Sequence, residues 1–489
     1  MGIDDKEELT DKLICENCID ESFLKEEVSR LGRRRKCSYC RLVAKTYSLE
    51  KMTERVETAL EQFYTRTSDE PDGWAYLRQK EFGDDWIREG DEIVDVIEEV
   101  AAIPREAAED VQEMLGEKYS DFESDKLGME TEYSSESCYT LKDQDDKFWK
   151  GQWNLFAQSV KHQGRMFNDA AKKVLESIFD GFGELRTYRG QAVIIDAGPE
   201  TNIPSLYRAR VFLSDIILKE ALANPDRQLG PPPSKLAAAG RMNSRGISVF
   251  YGASNPEVAI SEVRPPVGSK VAVASFEIIR PLKILDLEAL TSIIATGSIF
   301  DPEELARRER QTFLRTLSEL ITLPVMPGDE ELEYIPTQAV ADFLAENVNP
   351  IIDGIQFPSV QSGRKGINIV LFHKSSAVEP LQRAADTKIE VQLGFHVEDD
   401  YGDYSVYEIR SGGPEIIATG EIEDLLFPGI TLQREMINCV DNYALKIDIH
   451  SIKIHEVKAS SFLTDVNSVI WITSDGIEGP DYIPGFGFE

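Results

Sequence analysis

The chain has 489 residues, of which 42% are hydrophobic and 29% charged, and its formal net charge is −34. A chain this long exceeds one ordinary core and implies roughly three domains, while its apolar fraction excludes wholesale disorder. The excess of acid opposes broad electrostatic binding to nucleic acid or anionic lipid, so an anionic ligand has to be met by a local basic pocket.

The N-terminal MGIDDKEELTDK has none of the apolar character of a secretory signal, and no apolar run of ~18 residues follows it. A cytoplasmic protein without a membrane partner is expected. Cys15 and Cys18 in LICENC, with Cys37 and Cys40 in KCSYC, make two Cys-x-x-Cys pairs. Their separation is that of a four-thiolate zinc site, with each pair on a tight turn. Residues 1–48 are therefore expected to form a zinc-bound module in which Zn2+ is structural. A redox pair or four unligated thiols are the alternatives. The basic run GRRRK at residues 32–36 reads as a solvated loop or a nucleic-acid contact. Cys138 and Cys439 are isolated.

Residues 49–190 carry apolar positions three and four apart, in MTERVETALEQF, DDWIREGDEIVDVIEEVAA and PREAAEDVQEMLGEKYSD. An all-α domain is predicted there, with SDKLGMETEYSSESC as a loop. The long helical pattern that follows places Phe148, Trp149, Trp153, Phe156 and Phe167 in the core. About half of the net charge lies between residues 61 and 150 and reads as a solvated helical face.

Beyond residue 190 the pattern changes to short β-rich runs: QAVIIDAG, SLYRARVF, ISVFYGA, KVAVASFEII, LKILDL and INIVLFH. Helical stretches interrupt them at NPEVAISEV, DPEELARRERQTFLRTLSELI and IPTQAVADFLAENV. A mixed α+β domain is predicted over residues 196–380. Residues 381–489 are strand-like, in KIEVQLGFHVE, YSVYEIR, YALKIDIHSIKIHEVKA and SVIWITSD. They form either a separate β-rich region or an extension of the preceding sheet. The end, DYIPGFGFE, is a docking tail or a frayed terminus. The fold class expected is multidomain α+β.

One stretch draws chemistry together. GRMNSRGISVFYGASNPEVAISEVRPPVG, residues 240–268, crowds Arg241, Arg245, Tyr251, Glu262 and Arg264 among glycines and prolines. Charged groups on short turns are the makings of a small-molecule site. Alone, Glu262 reads as a surface ion pair, Tyr251 as core, and Arg264 before Pro265 as a brace for a turn.

SLYRAR, the stretch above and DGIQFPSVQSGRKGINIVLF, in that order over about residues 200–375, resemble the RES domain family. The resemblance implies an ADP-ribosyltransferase-like fold and a bacterial toxin that consumes NAD+. Carried over by position, it puts the family's arginine on Arg208, its tyrosine on Tyr251, its glutamate on Glu262 and its serine on Ser359. In the implied chemistry Glu262 stabilises an oxocarbenium-like transition state and Tyr251 stacks on nicotinamide. Arg208 pairs with the pyrophosphate, and Ser359 orients ribose or the attacking water or phosphate. Arg241 and Arg245 are further candidates for phosphate contacts, and Tyr207 and Asn243 could line the same pocket.

ICENCIDESFLKEEVSRLG, KCSYC and VKHQGRMF resemble the HEPN-type N-terminal region fused to some RES domains. Many catalytic HEPN domains are ribonucleases with an Arg-x4–6-His motif. None of His162, His373, His396, His450 and His455 has an arginine at that distance before it, so no nuclease is expected. The function implied is an NAD+ glycohydrolase or phosphorylase acting as a toxin or anti-phage effector. ADP-ribosyl transfer to a protein and an inactive binding or sensor protein are the alternatives. Expected partners are NAD+, a trigger or antitoxin protein, and a second copy in a homo-oligomer. The N-terminal region is expected to supply sensing, oligomerisation or restraint in cis.

Overall fold

A computed structural model describes residues 8–410 and 443–460, except 72, 74–75, 78–79, 81–85, 122–128, 166, 324, 327, 364, 385–386, 398–399 and 403. SVIWITSD and DYIPGFGFE lie outside the described residues. No helix among those described is long and apolar enough to cross a membrane.

The chain opens with strand β1 (Leu13–Cys15), helix α1 (Ser22–Leu31), and strands β2 (Arg33–Lys36) and β3 (Val43–Ser48). The strands pair antiparallel in the order β1-β3-β2. Ser48 then caps helix α2 (Leu49–Phe63) by accepting the Lys51 amide, as a serine before a helix does. Leu49, Met52, Val56, Leu60 and Phe63 recur at helical spacing and are buried. Strands β4 (Tyr64–Arg66) and β5 (Asp91–Glu92), helices α3 (Ile93–Ala101) and α4 (Arg105–Lys118), and strand β6 (Cys138–Leu141) complete this unit.

Two expectations change here. Residues 49–190 are not all-α, because β4, β6 and β5 form a three-stranded sheet. Its middle strand buries Tyr139 against Tyr133, with ring centroids 5.5 Å apart. Nor is 1–48 an independent module. Ile14, Ile19, Leu24, Val28 and Tyr47 share one core with Met52, Ile97 and Val111.

Helices α5 (Lys147–His162) and α6 (Asp169–Phe179) turn away from that core. Trp153 lies 6.3 Å from Phe313 and Phe179 lies 5.9 Å from Phe343, both on helices beyond residue 300. The boundary expected at residue 190 therefore cuts through a continuous core. Trp149, Trp153 and Phe156 are buried as predicted, but Phe148 and Phe167 are exposed. Periodicity identifies an apolar face without saying where that face ends.

The central sheet takes β7 (Ile194–Ala197), β8 (Ser205–Phe212), β9 (Phe250–Ala253), β10 (Lys270–Ile278), β11 (Leu282–Asp286), β12 (Gly354–Pro358) and β13 (Ile367–Leu371). Short β-ribbons follow, of β14 (Thr387–Gln392) with β17 (Ser405–Arg410) and β15 (Phe395–Val397) with β16 (Asp400–Gly402). The eighth strand is β18 (Leu445–Glu456), in the order β18-β10-β8-β9-β13-β12-β11-β7. Part of the C-terminal region thus extends the central sheet. All pairs are antiparallel except β11 with β12. Successive residues feed opposite cores, since Ile369 and Ile284 pack on one side and Val370 and Leu285 on the other.

Helices α7 (Asp215–Ala223), α8 (Pro256–Glu262), α9 (Glu304–Thr322) and α10 (Ile335–Asn347) flank the sheet. The segment before α9 links the two cores. Phe300 is buried among the N-terminal residues, and Arg55 Nη2 donates to its carbonyl at 2.6 Å. Phe300→Ala is expected to cost about 3–5 kcal/mol, the usual loss for a buried phenylalanine. Urea denaturation followed by circular dichroism measures it, and an unchanged midpoint would place Phe300 outside that core.

Candidate active site

Strands β8 and β9 are neighbours but meet only at Tyr207 opposite Ala253. Between them opens a cavity of about 460 Å³. That volume lies in the ~300–1,000 Å³ range of small-molecule sites. Its walls include Arg208, Arg241, Tyr251, Glu262, Tyr334 and Asn368.

Glu262 arrives on α8. Asn255 starts this helix by accepting the Val258 amide at 2.9 Å, with Pro256 at the first helical position. Val258 and Ala259 pack on Ala209, Val271 and Val273 of the sheet. Glu262 is four and three residues further on, so it shares their face. Gly366 allows the close approach, because a Cβ there would come within 2.2 Å of Val258 Cγ2.

Two donors from the β12–β13 hairpin fix the carboxylate. Ser359 Oγ donates to Glu262 Oε1 at 2.6 Å, and Asn368 Nδ2 donates to the same oxygen at 2.7 Å. Ser359 is fully buried, while Glu262 keeps an exposed surface on the cavity. Among the described residues Oε2 receives no donor, which leaves it for a ligand.

Arg208 spans the opposite wall. Its Nε donates to the Leu229 carbonyl at 3.1 Å and its Nη1 to the Tyr251 carbonyl at 2.9 Å. Burial, reinforced by Arg210, pushes its guanidinium down to about 10, still protonated at neutral pH. Tyr251 is pushed up to about 12, chiefly by burial. Its hydroxyl donates to Asn243 Oδ1 at 3.0 Å and accepts the Met242 amide at 3.1 Å. The hydroxyl is therefore engaged by the turn, and the exposed 37% of the residue lines the cavity.

The remaining candidates divide. Arg241 lies in the wall, but its Nη1 donates to the carbonyls of Ile321 and Leu323, and its guanidinium stands 4.9 Å over Tyr334. It closes the C-terminal end of α9 as well as facing the cavity. Arg245 is exposed on a different cavity, beside α5, α6 and α10, and is not brought to Glu262. Tyr207 lines the site, and Asn243 acts through Tyr251. Arg264 sits in the wall at φ +44°, a conformation a non-glycine residue rarely adopts.

Sequence reading missed Asn368 and Tyr334. A signal for Asn368 existed, since an amide inside the apolar run INIVLF needs a buried partner. Its Oδ1 has no partner among the described residues. Tyr334 carried no signal, because it falls just before the helical pattern IPTQAVADFLAENV and belongs to no motif.

A second constellation lies in the N-terminal unit. The Sγ atoms of Cys15, Cys18, Cys37 and Cys40 all fall within 4.8 Å of one another. Individual separations are 3.4 Å for Cys15–Cys40 and 3.8 Å for Cys15–Cys18 and Cys18–Cys37. A tetrahedral ion with metal–sulfur bonds of ~2.3 Å requires sulfurs ~3.8 Å apart. The four thiols therefore fit a metal ion. A hydrogen bond from the Leu42 backbone lowers the Cys40 thiol to about 7, whereas burial and the neighbouring thiols raise Cys15 and Cys18.

The profile of the RES domain matches residues 207–393, enclosing Arg208, Tyr251, Glu262, Ser359 and Asn368. The chain carries a RES domain. Residues 30–174 match the HEPN/RES N-terminal domain 1, which begins after Cys15 and Cys18 and ends within α6. No curated protein and no solved structure gives a significant match. A RES domain points to an enzyme that acts on NAD+.

Gly240 explains part of the turn that holds Tyr251. A Cβ there would lie 2.7 Å from both Tyr251 Oη and Asn243 Oδ1. Gly240→Ala should break this contact and cost about 1–3 kcal/mol, the penalty for stranding a buried polar group. Gly151→Ala, at an exposed position of α5 with no atom within 4 Å, should instead gain up to about 1 kcal/mol. Thermal unfolding of the two variants should shift in opposite directions.

Proposed function

We propose that the RES domain consumes NAD+ by breaking the bond between nicotinamide and ribose. The observation that carries this reading is the Glu262 carboxylate, held by Ser359 and Asn368 through one oxygen, on a cavity shared with Arg208 and Tyr251.

The chemistry suits such a group. In NAD+ the leaving nitrogen is already cationic, so no acid is needed to expel it. As the C1′–N bond breaks, nicotinamide departs with the bonding pair and ribose takes on oxocarbenium character. A fixed carboxylate stabilises that charge and can accept a hydrogen bond from a ribose hydroxyl. An oxygen of water or phosphate then bonds to C1′, with loss of its proton when water attacks. The exposed ring of Tyr251 offers a stacking surface for nicotinamide, and Arg208 a fork for the pyrophosphate. Ser359 positions Glu262.

Consumption of NAD+ at this site would make the chain a glycohydrolase or phosphorylase of the toxin or anti-phage type, acting in the cytoplasm. The N-terminal region, at residues 1–48 and 49–190, would then sense a trigger or restrain the domain in cis. Zinc is the metal that a closed set of four thiolates suits best, in a structural role.

Incubation with NAD+, with and without phosphate, followed by mass spectrometry identifies the acceptor. ADP-ribose indicates water, its phosphorylated form indicates phosphate, and a mass increase on added protein indicates transfer. Glu262→Ala should lower turnover by about a hundredfold or more, some 3 kcal/mol, while keeping measurable NAD+ affinity. Arg208→Ala should chiefly weaken binding. Near-parental turnover by Glu262→Ala would remove Glu262 from the mechanism.

Metal analysis should find about one zinc per chain. Cys15→Ser should release it and loosen α2–α4 along with β1–β3, because they share a core. The RES cavity should be unaffected. Zinc-free protein with an intact N-terminal unit would overturn the assignment.

A further inference from the structure

The basic run on β2 is not absorbed by the NAD+ reading. Arg33, Arg34, Arg35 and Lys36 are all exposed, and β2 is an edge of its sheet, so one side of its backbone is unpaired. Arg30 and Arg41 are exposed at its two flanks. Among the described residues none of these six cations makes an ion pair, in a chain with 87 acidic residues.

The register adds to the repulsion. Arg34 stands directly opposite Lys45 across the β2–β3 pair, a like-charge placement that destabilises a sheet. Glu16 accepts from Ser29 Oγ and the Lys45 amide of β3 rather than from any of the six. Strand β2 runs directly into Cys37, one of the four thiols of the metal-ligand cluster. The edge is thus a row of exposed cations that no ion pair among the described residues neutralises.

We propose that β2 binds the phosphate backbone of a single-stranded nucleic acid. Five of the six cations are arginine, whose planar fork matches phosphate. Along a strand, alternate residues lie ~6.6 Å apart, so Arg33 and Arg35 flank one side of the edge and Arg34 and Lys36 the other. A single strand lying along the edge meets both sides, whereas a rigid duplex meets one. The chain's overall charge repels nucleic acid, so binding is confined to this edge and is steeply salt-dependent.

The test is fluorescence anisotropy on the full-length protein without NAD+. The probe is a labelled mixed-sequence oligonucleotide of about 20 nucleotides, longer than the ~4–16 nucleotides of one single-strand site. Engaging three or four phosphates gives a slope of about −2 to −3 in log affinity against log salt. Changing Arg33, Arg34, Arg35 and Lys36 together to Gln should weaken binding at least tenfold. Arg34→Gln alone should weaken binding while thermal stability holds or rises, because the opposition to Lys45 is relieved. That second readout separates lost contact from lost fold. Absence of saturable binding would overturn the proposal, as would unchanged binding by the fourfold variant or equal affinity for the duplex. So would a change in oligomeric state in the fourfold variant without any oligonucleotide binding, since the partner would then be the acidic surface of a second copy.

Discussion

Glu262 ends a seven-residue helix, a place where a side chain would ordinarily sweep through solvent. Ser359 and Asn368 stop it, and both come from the β12–β13 hairpin, 97 and 106 residues later. Two neutral donors order a carboxylate without discharging it, as an arginine partner would tend to do. The constraint therefore reaches well beyond one side chain. Strand β13 must lie beside β9, Gly366 must admit Val258, and Asn255 must start α8 where it does. If the hairpin shifted by one residue, Asn368 would pass to the other face of the sheet.

The opposite wall is held by the other half of the molecule. Tyr251 is braced by the turn at residues 240–243, and α10 clamps that turn through Gln338 to the Gly240 carbonyl and Thr337 to the Arg241 carbonyl. Arg241 in turn grips the last carbonyls of α9. The segment leading into α9 buries Phe300 in the N-terminal core, and Arg308 on α9 lies 4.9 Å over Phe63 of α2. One 19-residue helix thus spans from the metal-ligand unit to the cavity wall.

What could be read beforehand follows from range. The two Cys-x-x-Cys pairs are local signals, and their spacing already implied convergence of sulfurs. The order of Arg208, Tyr251, Glu262 and Ser359 was legible through resemblance, since no local physics links positions so far apart. Asn368 depends on sheet register, which alternation alone does not set when both faces of a strand are buried. The packing of α5 and α6 was hidden for a related reason. An amphipathic face states that something covers it, and both the N-terminal core and the α9–α10 layer were available. Likewise β18 pairs with β10 across more than 160 residues, so its strand character was legible but not its neighbour.

Composition misleads most about charge. A net charge of −34 suggests a protein that repels phosphate, yet its cavity wall carries Arg208, Arg241 and Arg264, and its first sheet ends in four consecutive cations. At physiological ionic strength the screening length is ~8 Å, so a ligand at either place feels chiefly the groups that touch it. The acid concentrated between residues 61 and 150 acts at longer range and mainly slows the approach of anions. Burial separates the two basic sites further. Arg208 is desolvated and tethered to carbonyls, so its charge is fixed in direction, whereas the β2 cations project freely into water. A fixed, desolvated cation discriminates among small anions by shape, and a row of free ones responds only to the density of charge along a polymer. Net charge is thus a property of the whole surface, while recognition is decided within one screening length of each site.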